Sequence, residues 1–117
     1  MNPLTIEWVE KAEGDLMTAG RELRARQSPN YDAACSHAQQ TAEKYLKAYL
    51  QEQGADIPYT HNLTDLLILC VTFNSSFSTL DSELKVLNGY AVRFRYHGEI
   101  ATRAEAKEAV QASQKVS

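Results

Sequence analysis

Two short sets of residues in this chain have the types and spacing to hold an anion. In the first, His37, Gln40 and Lys44 fall at steps of three and four within YDAACSHAQQTAEKYLKAYL, residues 31–50. On a helix of ~3.6 residues per turn they share one side of the cylinder, and Lys47 and Gln51 continue the strip. In the second, Arg93, Arg95 and His97 crowd into RFRYH, where arginine's planar fork suits phosphate oxygens. His61 stands apart in THNLTDLL; its ring nitrogen can serve a helix end as readily as a phosphate. Tyr90 and Tyr96 offer ring faces on which a base could stack, or simply packing.

Each of these residues also has a plainer reading. His37 can be an ordinary surface histidine, and Lys44 can pair with Gln40 or lie along the surface. Arg93 and Arg95 also suit the negative end of a helix dipole. No nucleophile with an adjacent base stands out, so no catalytic residue is assigned. Cys35 and Cys70 lie singly inside predicted helices, where small thiols pack as inert core. Without a second cysteine pair or a histidine cluster there is no zinc spacing, and no metal or cofactor is expected.

Composition bounds the rest. A length of 117 residues with 44% hydrophobic residues fits one domain over residues 1–117 with one compact core. The net charge of -3 excludes the basic footprint of a protein that coats nucleic acid, so any anion site must be local. The acidic start MNPLTIEWVEKAEGDL does not read as a secretion signal, and Leu66 to Phe73 is far shorter than the ~20 residues needed to span a bilayer. The expectation is a soluble, cytoplasmic chain with no membrane association.

The elements that would position these groups are all helical. Asn2 and Pro3 start helix one, whose stripe Trp8, Ala12, Leu16, Ala19 and Leu23 runs to about Arg26. Trp8 reads as core or as a dimer contact. Ser28-Pro29-Asn30 is too short to span far, so helix two folds back antiparallel on helix one. Its stripe is Ala34, Ala38, Ala42, Tyr45 and Tyr49, with alanines allowing close approach, and it ends near Gly54. Thr60 or Asn62 caps a third helix, apolar on most sides, with Leu63, Leu66, Leu67 and Cys70. Ser78 and Asp81 resemble a capping box for helix four, which carries Leu80, Leu84, Leu87, Ala91 and Phe94 to about Arg95, with Gly98 as the stop. Thr102 and Glu105 make a clearer box for a short helix five with Ala106, Ala109 and Val110. No stretch alternates in the manner of a strand. The fold class is therefore all-α: an antiparallel bundle of about five helices, dominated by the first, second and fourth.

Four stretches, WVEKAEGDL, SHAQQTAEKYLKAYL, THNLTDLL and LNGYAVRFRY, taken in this order resemble the HEPN family (higher eukaryotes and prokaryotes nucleotide-binding). The resemblance implies a small antiparallel helical bundle that forms a homodimer. It also implies one of several roles: a nucleotide- or RNA-binding domain, a partner of a separately encoded nucleotidyltransferase, or a ribonuclease toxin. Ribonuclease members carry an arginine, four to six intervening residues and a histidine, which act on phosphate charge and the ribose hydroxyl. Here three residues separate Arg93 from His97 and one separates Arg95 from it, and the other histidines have no arginine at that distance upstream. The expected function is thus a non-catalytic nucleotide- or RNA-binding module. Its ligand would sit where His37, Gln40 and Lys44 of helix two meet the end of helix four, with His61 nearby. A ribonuclease with a rearranged arginine and histidine, or a dimerisation bundle without a ligand, is the alternative.

Overall fold

The computed structural model describes residues 1–93 and 99–117. The expectations placed on Phe94, Arg95, Tyr96, His97 and Gly98, including the end of the fourth helix, lie outside the described residues. Five α-helices follow one another, and no strand occurs among the described residues: α1 (Pro3–Arg24), α2 (Tyr31–Glu52), α3 (Leu63–Phe73), α4 (Asp81–Arg93) and α5 (Arg103–Val116). A 3-10 segment, Ser75–Leu80, precedes α4.

Local chemistry sets most of the helix ends. Asn2 caps α1 by accepting from the Thr5 N–H at 2.9 Å, and Asn30 caps α2 by accepting from Ala33. Each satisfies a backbone donor that has no partner within the helix. α1 stops at Arg24, short of the expected Arg26: Ala25 is extended, and the chain turns through Ser28 in the left-handed region (φ 47°). Gly54 takes φ 71° just past α2, a conformation that only glycine adopts without strain. Asn62 accepts from the Thr64 and Asp65 N–H groups at the start of α3. Thr102 and Glu105 form the reciprocal capping box at α5.

The box expected at Ser78 and Asp81 does not form. Asn74 caps the chain earlier, accepting from both the backbone and the hydroxyl of Ser76. The Ser75–Leu80 segment therefore coils before α4 begins, and Ser78 contributes its carbonyl to the Asp81 N–H.

α1 and α2 form the principal pair. They are antiparallel, since Asn2 at the start of α1 bonds Glu52 and Gln51 at the end of α2. At 1.5 Å per residue, 22 residues span about 33 Å, so this hairpin sets the long axis of a 43 × 24 × 23 Å molecule. α4 and α5 are likewise antiparallel, joined from Tyr90 to Glu108 and from Glu83 to Lys115.

Ala34, Ala38 and Ala42 of α2 are fully buried with Leu46 and Leu50, as are Leu63, Leu66 and Cys70 of α3 and Leu84 and Leu87 of α4. Burying each leucine contributes about 1.5–3 kcal/mol before conformational entropy is counted. Tyr45 and Tyr49 are only partly buried.

Helix five departs from the expected dominance of the first, second and fourth helices. After α1, α5 is the strongest neighbour of α2, and it also touches α1. Its buried face, Ala106, Ala109, Val110, Ala112 and Ser113, is made of small side chains. Small against small lets two backbones approach closely, so a face that looks weakly apolar by residue type still packs extensively.

Candidate functional site

Where the first half of α2, the segment before α3, and α4 meet, the surface opens into a groove of about 610 Å³. It is lined by Asn30, Asp32, Ala33, Ser36, Gln39, Gln40, Glu43, Lys44, His61 and Tyr90. Gln39 and Glu43 are one helical turn apart on α2 and more than nine-tenths buried. Together they hold the incoming chain. Gln39 Nε2 donates to the His61 carbonyl at 2.9 Å, and the Glu43 carboxylate takes His61 Nδ1 at 2.9 Å. The His61 side chain is still 78% exposed. Glu43 also receives Lys47 Nζ at 3.0 Å, and the Lys47 ammonium lies 5.6 Å from the centre of the Trp8 ring.

The residues singled out in the sequence are distributed unevenly. Gln40, Lys44 and His61 line this one groove together with Tyr90. His37 is not among the lining residues. It is half-buried toward α1, with Nδ1 2.9 Å from Asp15 Oδ1, while Lys44 Nζ bonds the other oxygen of the same carboxylate. Asp15 thus takes the place of the surface or of Gln40 as the partner of Lys44. Lys47, expected in the same donor strip, is buried and paired with Glu43: the strip wraps far enough around α2 that its two ends meet different neighbours.

Arg93, one turn beyond Tyr90 on α4, faces two carboxylates, Glu99 Oε2 at 3.3 Å from Nε and Glu105 Oε2 bonded to Nη1. Glu105 is held below the usual carboxylate range, first by the Thr102 N–H of its capping box and then by the Arg93 charge. Arg95 and His97 lie outside the described residues.

Residue spacing alone did not identify Asp15, Glu43 and Gln39. A signal was available: Asp15 interrupts the apolar stripe of α1 between Ala12 and Ala19, and Gln39 and Glu43 flank Ala42. A polar group set into an alanine-lined face needs a buried partner.

The HEPN domain family matches residues 5–117. The chain belongs to the HEPN family. TT1696 from Thermus thermophilus shares the fold with a TM-score of 0.75 at 27% identity, over 96% of this chain and 91% of that one. ST0689, an archaeal HEPN homologue, superposes with a TM-score of 0.77 at 24% identity, over 96% of this chain and 90% of that one. A comparison with curated protein sequences finds no match.

Within this HEPN bundle the groove is mixed in charge. Its lining pairs carboxylates (Asp32, Glu43) with a lysine whose charge is met by Asp15, so it does not form a concentrated cationic pocket. The Tyr90 hydroxyl donates to Glu108 at 3.0 Å. Burial first, and then this carboxylate, push the phenol up to about 12, so it stays protonated near neutrality. The two thiols are likewise held protonated near neutrality. Burial, with the nearby Glu105, Asp32 and Glu108 charges, pushes Cys35 up to about 12, and burial pushes Cys70 up to about 11. Both are free thiols. Among the described residues no cluster of three metal-ligating side chains forms, and no helix is long and apolar enough to cross a membrane.

Proposed function

We propose that this HEPN protein is a cytoplasmic, non-catalytic nucleotide- or RNA-binding module. It forms one domain, works as a homodimer, and partners a separately encoded nucleotidyltransferase. The observation that carries the binding part is the groove, which gathers Gln40, Lys44 and His61 beside the Tyr90 ring in about 610 Å³, a volume within the ~300–1,000 Å³ usual for small-ligand sites. Against catalysis stands the spacing of Arg93 and Arg95 to His97, which is shorter than that of the family's ribonucleases. The homodimer is supported by the exposed apolar side chains of α3, with Ile68 60% and Phe73 47% exposed.

The test is a titration of the purified protein with nucleotides and a short RNA at low salt, repeated with the variants Q40A/H61A and R93A/R95A. Both variants should bind several-fold more weakly while melting near the wild-type temperature, and rising salt should weaken the wild type's affinity for RNA. Equal binding by all three proteins removes the groove and the end of α4 from consideration. Metal-independent RNA cleavage that disappears on replacing His97 assigns the protein to the ribonuclease branch instead.

A further inference from the structure

Three of the groove's donor groups already have partners. Gln39 Nε2 donates to the His61 carbonyl, Gln40 Nε2 donates to Ser36 Oγ at 3.2 Å, and Lys44 Nζ is bonded to Asp15. Beside the hydrogens that Gln40 and Lys44 still carry, the groove offers a visitor a set of acceptors. The Gln40 side-chain oxygen is one. Asp32 is another, since only its Oδ1 is used, by the Ala101 N–H. His61 supplies the third, through its tautomer. A carboxylate can only accept, so the bond from Glu43 fixes the proton of the neutral ring on Nδ1 and leaves a lone pair on Nε2. Glu43 cannot turn away, because its buried carboxylate is also tied to Lys47. The His61 main chain is pinned by Gln39, so the ring is held at both ends.

We infer that His61, set in one tautomer by Glu43, makes this groove selective for a ligand that presents a neutral hydrogen-bond donor, with His61 Nε2 as the accepting atom. The inference rests on the nucleotide- or RNA-binding reading and names what that site selects. In a nucleotide the donor has two sources, the exocyclic amino group of a base and the ribose 2′-hydroxyl. The Glu43 carboxylate acts through His61, and is a positioning residue for it.

Three tetranucleotides separate the two sources: oligoadenylate RNA, the same RNA with purine riboside in place of adenosine, and oligodeoxyadenylate. Loss of one neutral hydrogen bond per site corresponds to about fivefold in affinity. Wild-type protein should therefore bind the first about fivefold or more better than one of the other two, and the disfavoured probe identifies the donor. H61A should erase that preference. Its ring is exposed and its carbonyl stays with Gln39, so it should melt as the wild type does.

E43Q supplies the independent arm. A glutamine amide can accept from Lys47 and donate to Nδ1, which moves the ring proton to Nε2 and should also abolish the preference. Nitrogen-15 NMR of the ring above neutral pH should show Nδ1 protonated in the wild type and Nε2 protonated in E43Q. Equal affinity of the wild type for all three probes, a preference that survives H61A, or a bare Nδ1 in the wild-type ring each overturns the inference while leaving nucleotide binding intact. Failure of the wild type to bind any nucleotide or RNA ends both readings.

Discussion

Replacing Glu43 with alanine should be among the most damaging single changes in this chain, and replacing Lys47 together with it should undo most of the damage. The Glu43 and Lys47 side chains are each 8% exposed and 3.0 Å apart. In E43A the ammonium of Lys47 would remain in that surrounding with only the Trp8 ring, 5.6 Å away, as a partner. Leaving one charge of a buried pair uncompensated costs about 3–5 kcal/mol, whereas replacing both partners with apolar groups of similar volume is often near neutral. The cation over Trp8 is already made in the wild type and offsets none of this, so the expected loss for E43A is about 3–5 kcal/mol. At roughly 4 °C per kcal/mol for a chain of this length, that is a fall in Tm of about 12–20 °C. The double variant E43L/K47M should lie within about 1 kcal/mol of wild type. Urea denaturation of wild type, E43L, K47M and E43L/K47M closes the cycle, with E43A measured beside it. If E43A cost no more than an ordinary surface change, or the double variant were as unstable as the sum of the singles, the reasoning from burial would be wrong.

Asp15 offers a graded comparison: D15A strands Lys44, whose side chain is 23% exposed and can reach water, so urea melts should show a smaller loss of about 1–3 kcal/mol. T102A removes the acceptor for the Glu105 N–H and should cost about 1 kcal/mol by the same melts. Glu105 is held low in the folded state, so its contribution is present above the unfolded carboxylate range and is lost as pH falls through its depressed folded value; E105Q should remove that step from the acid limb of a stability–pH profile. Tyr90 runs in the opposite sense. Its phenol pKa is raised to about 12 in the fold, so stability from Tyr90 is complete below its unfolded value near 10 and falls between pH ~10 and ~12, a step that Y90F should remove from an alkaline melting series. Cys35 and Cys70 should resist a thiol-alkylating reagent at neutral pH and react together only on unfolding, as counted by mass spectrometry.

How far the sequence carried depended on the range of each interaction. Asn2, Asn62, Gly54 and the Thr102–Glu105 box act within four residues of their own positions, and these four ends follow from residue type and spacing, while Asn30, which caps α2 over the same short range, reads in the sequence only as part of a break. The Ser78–Asp81 box failed for a local reason too, since Asn74, four residues earlier, caps the Ser75–Leu80 segment and the chain is already coiled when it reaches Ser78. The alanine stripe of α2 marked the core face without revealing which helix would cover it. That outcome depends on how closely the backbones of α2 and α5 approach, and the hydrophobicity of Ala106 and Ala109 understates it. Asp15 and Glu43 were harder still. Helical phase says that Lys44 and Lys47 share a side of α2, but only the register of α1 against α2 decides that one meets Asp15 and the other meets Trp8 and its own Glu43.

The same register explains why the groove is a candidate site and not an incidental depression. Four of the residues that line it from α2, Gln39, Gln40, Glu43 and Lys44, occupy two adjacent pairs one turn apart, and each pair divides its work. The buried members, Gln39 and Glu43, reach back to hold the segment that brings in His61. The half-buried members, Gln40 and Lys44, face the opening, and Asp15 restrains the lysine from the far side. A groove whose walls were flexible surface side chains would lose conformational freedom on binding, at about 0.5–1.5 kcal/mol for each one immobilised. Here His61, Gln40 and Lys44 are already bonded before any ligand arrives, so that cost has largely been met in folding. Loosening the clamp with Q39A should therefore weaken ligand binding even though Gln39 donates to the His61 carbonyl and leaves the His61 ring bond to Glu43 in place. Calorimetry should register the change as a less favourable binding entropy. Unchanged affinity and entropy in Q39A would mean that the groove gains nothing from being held.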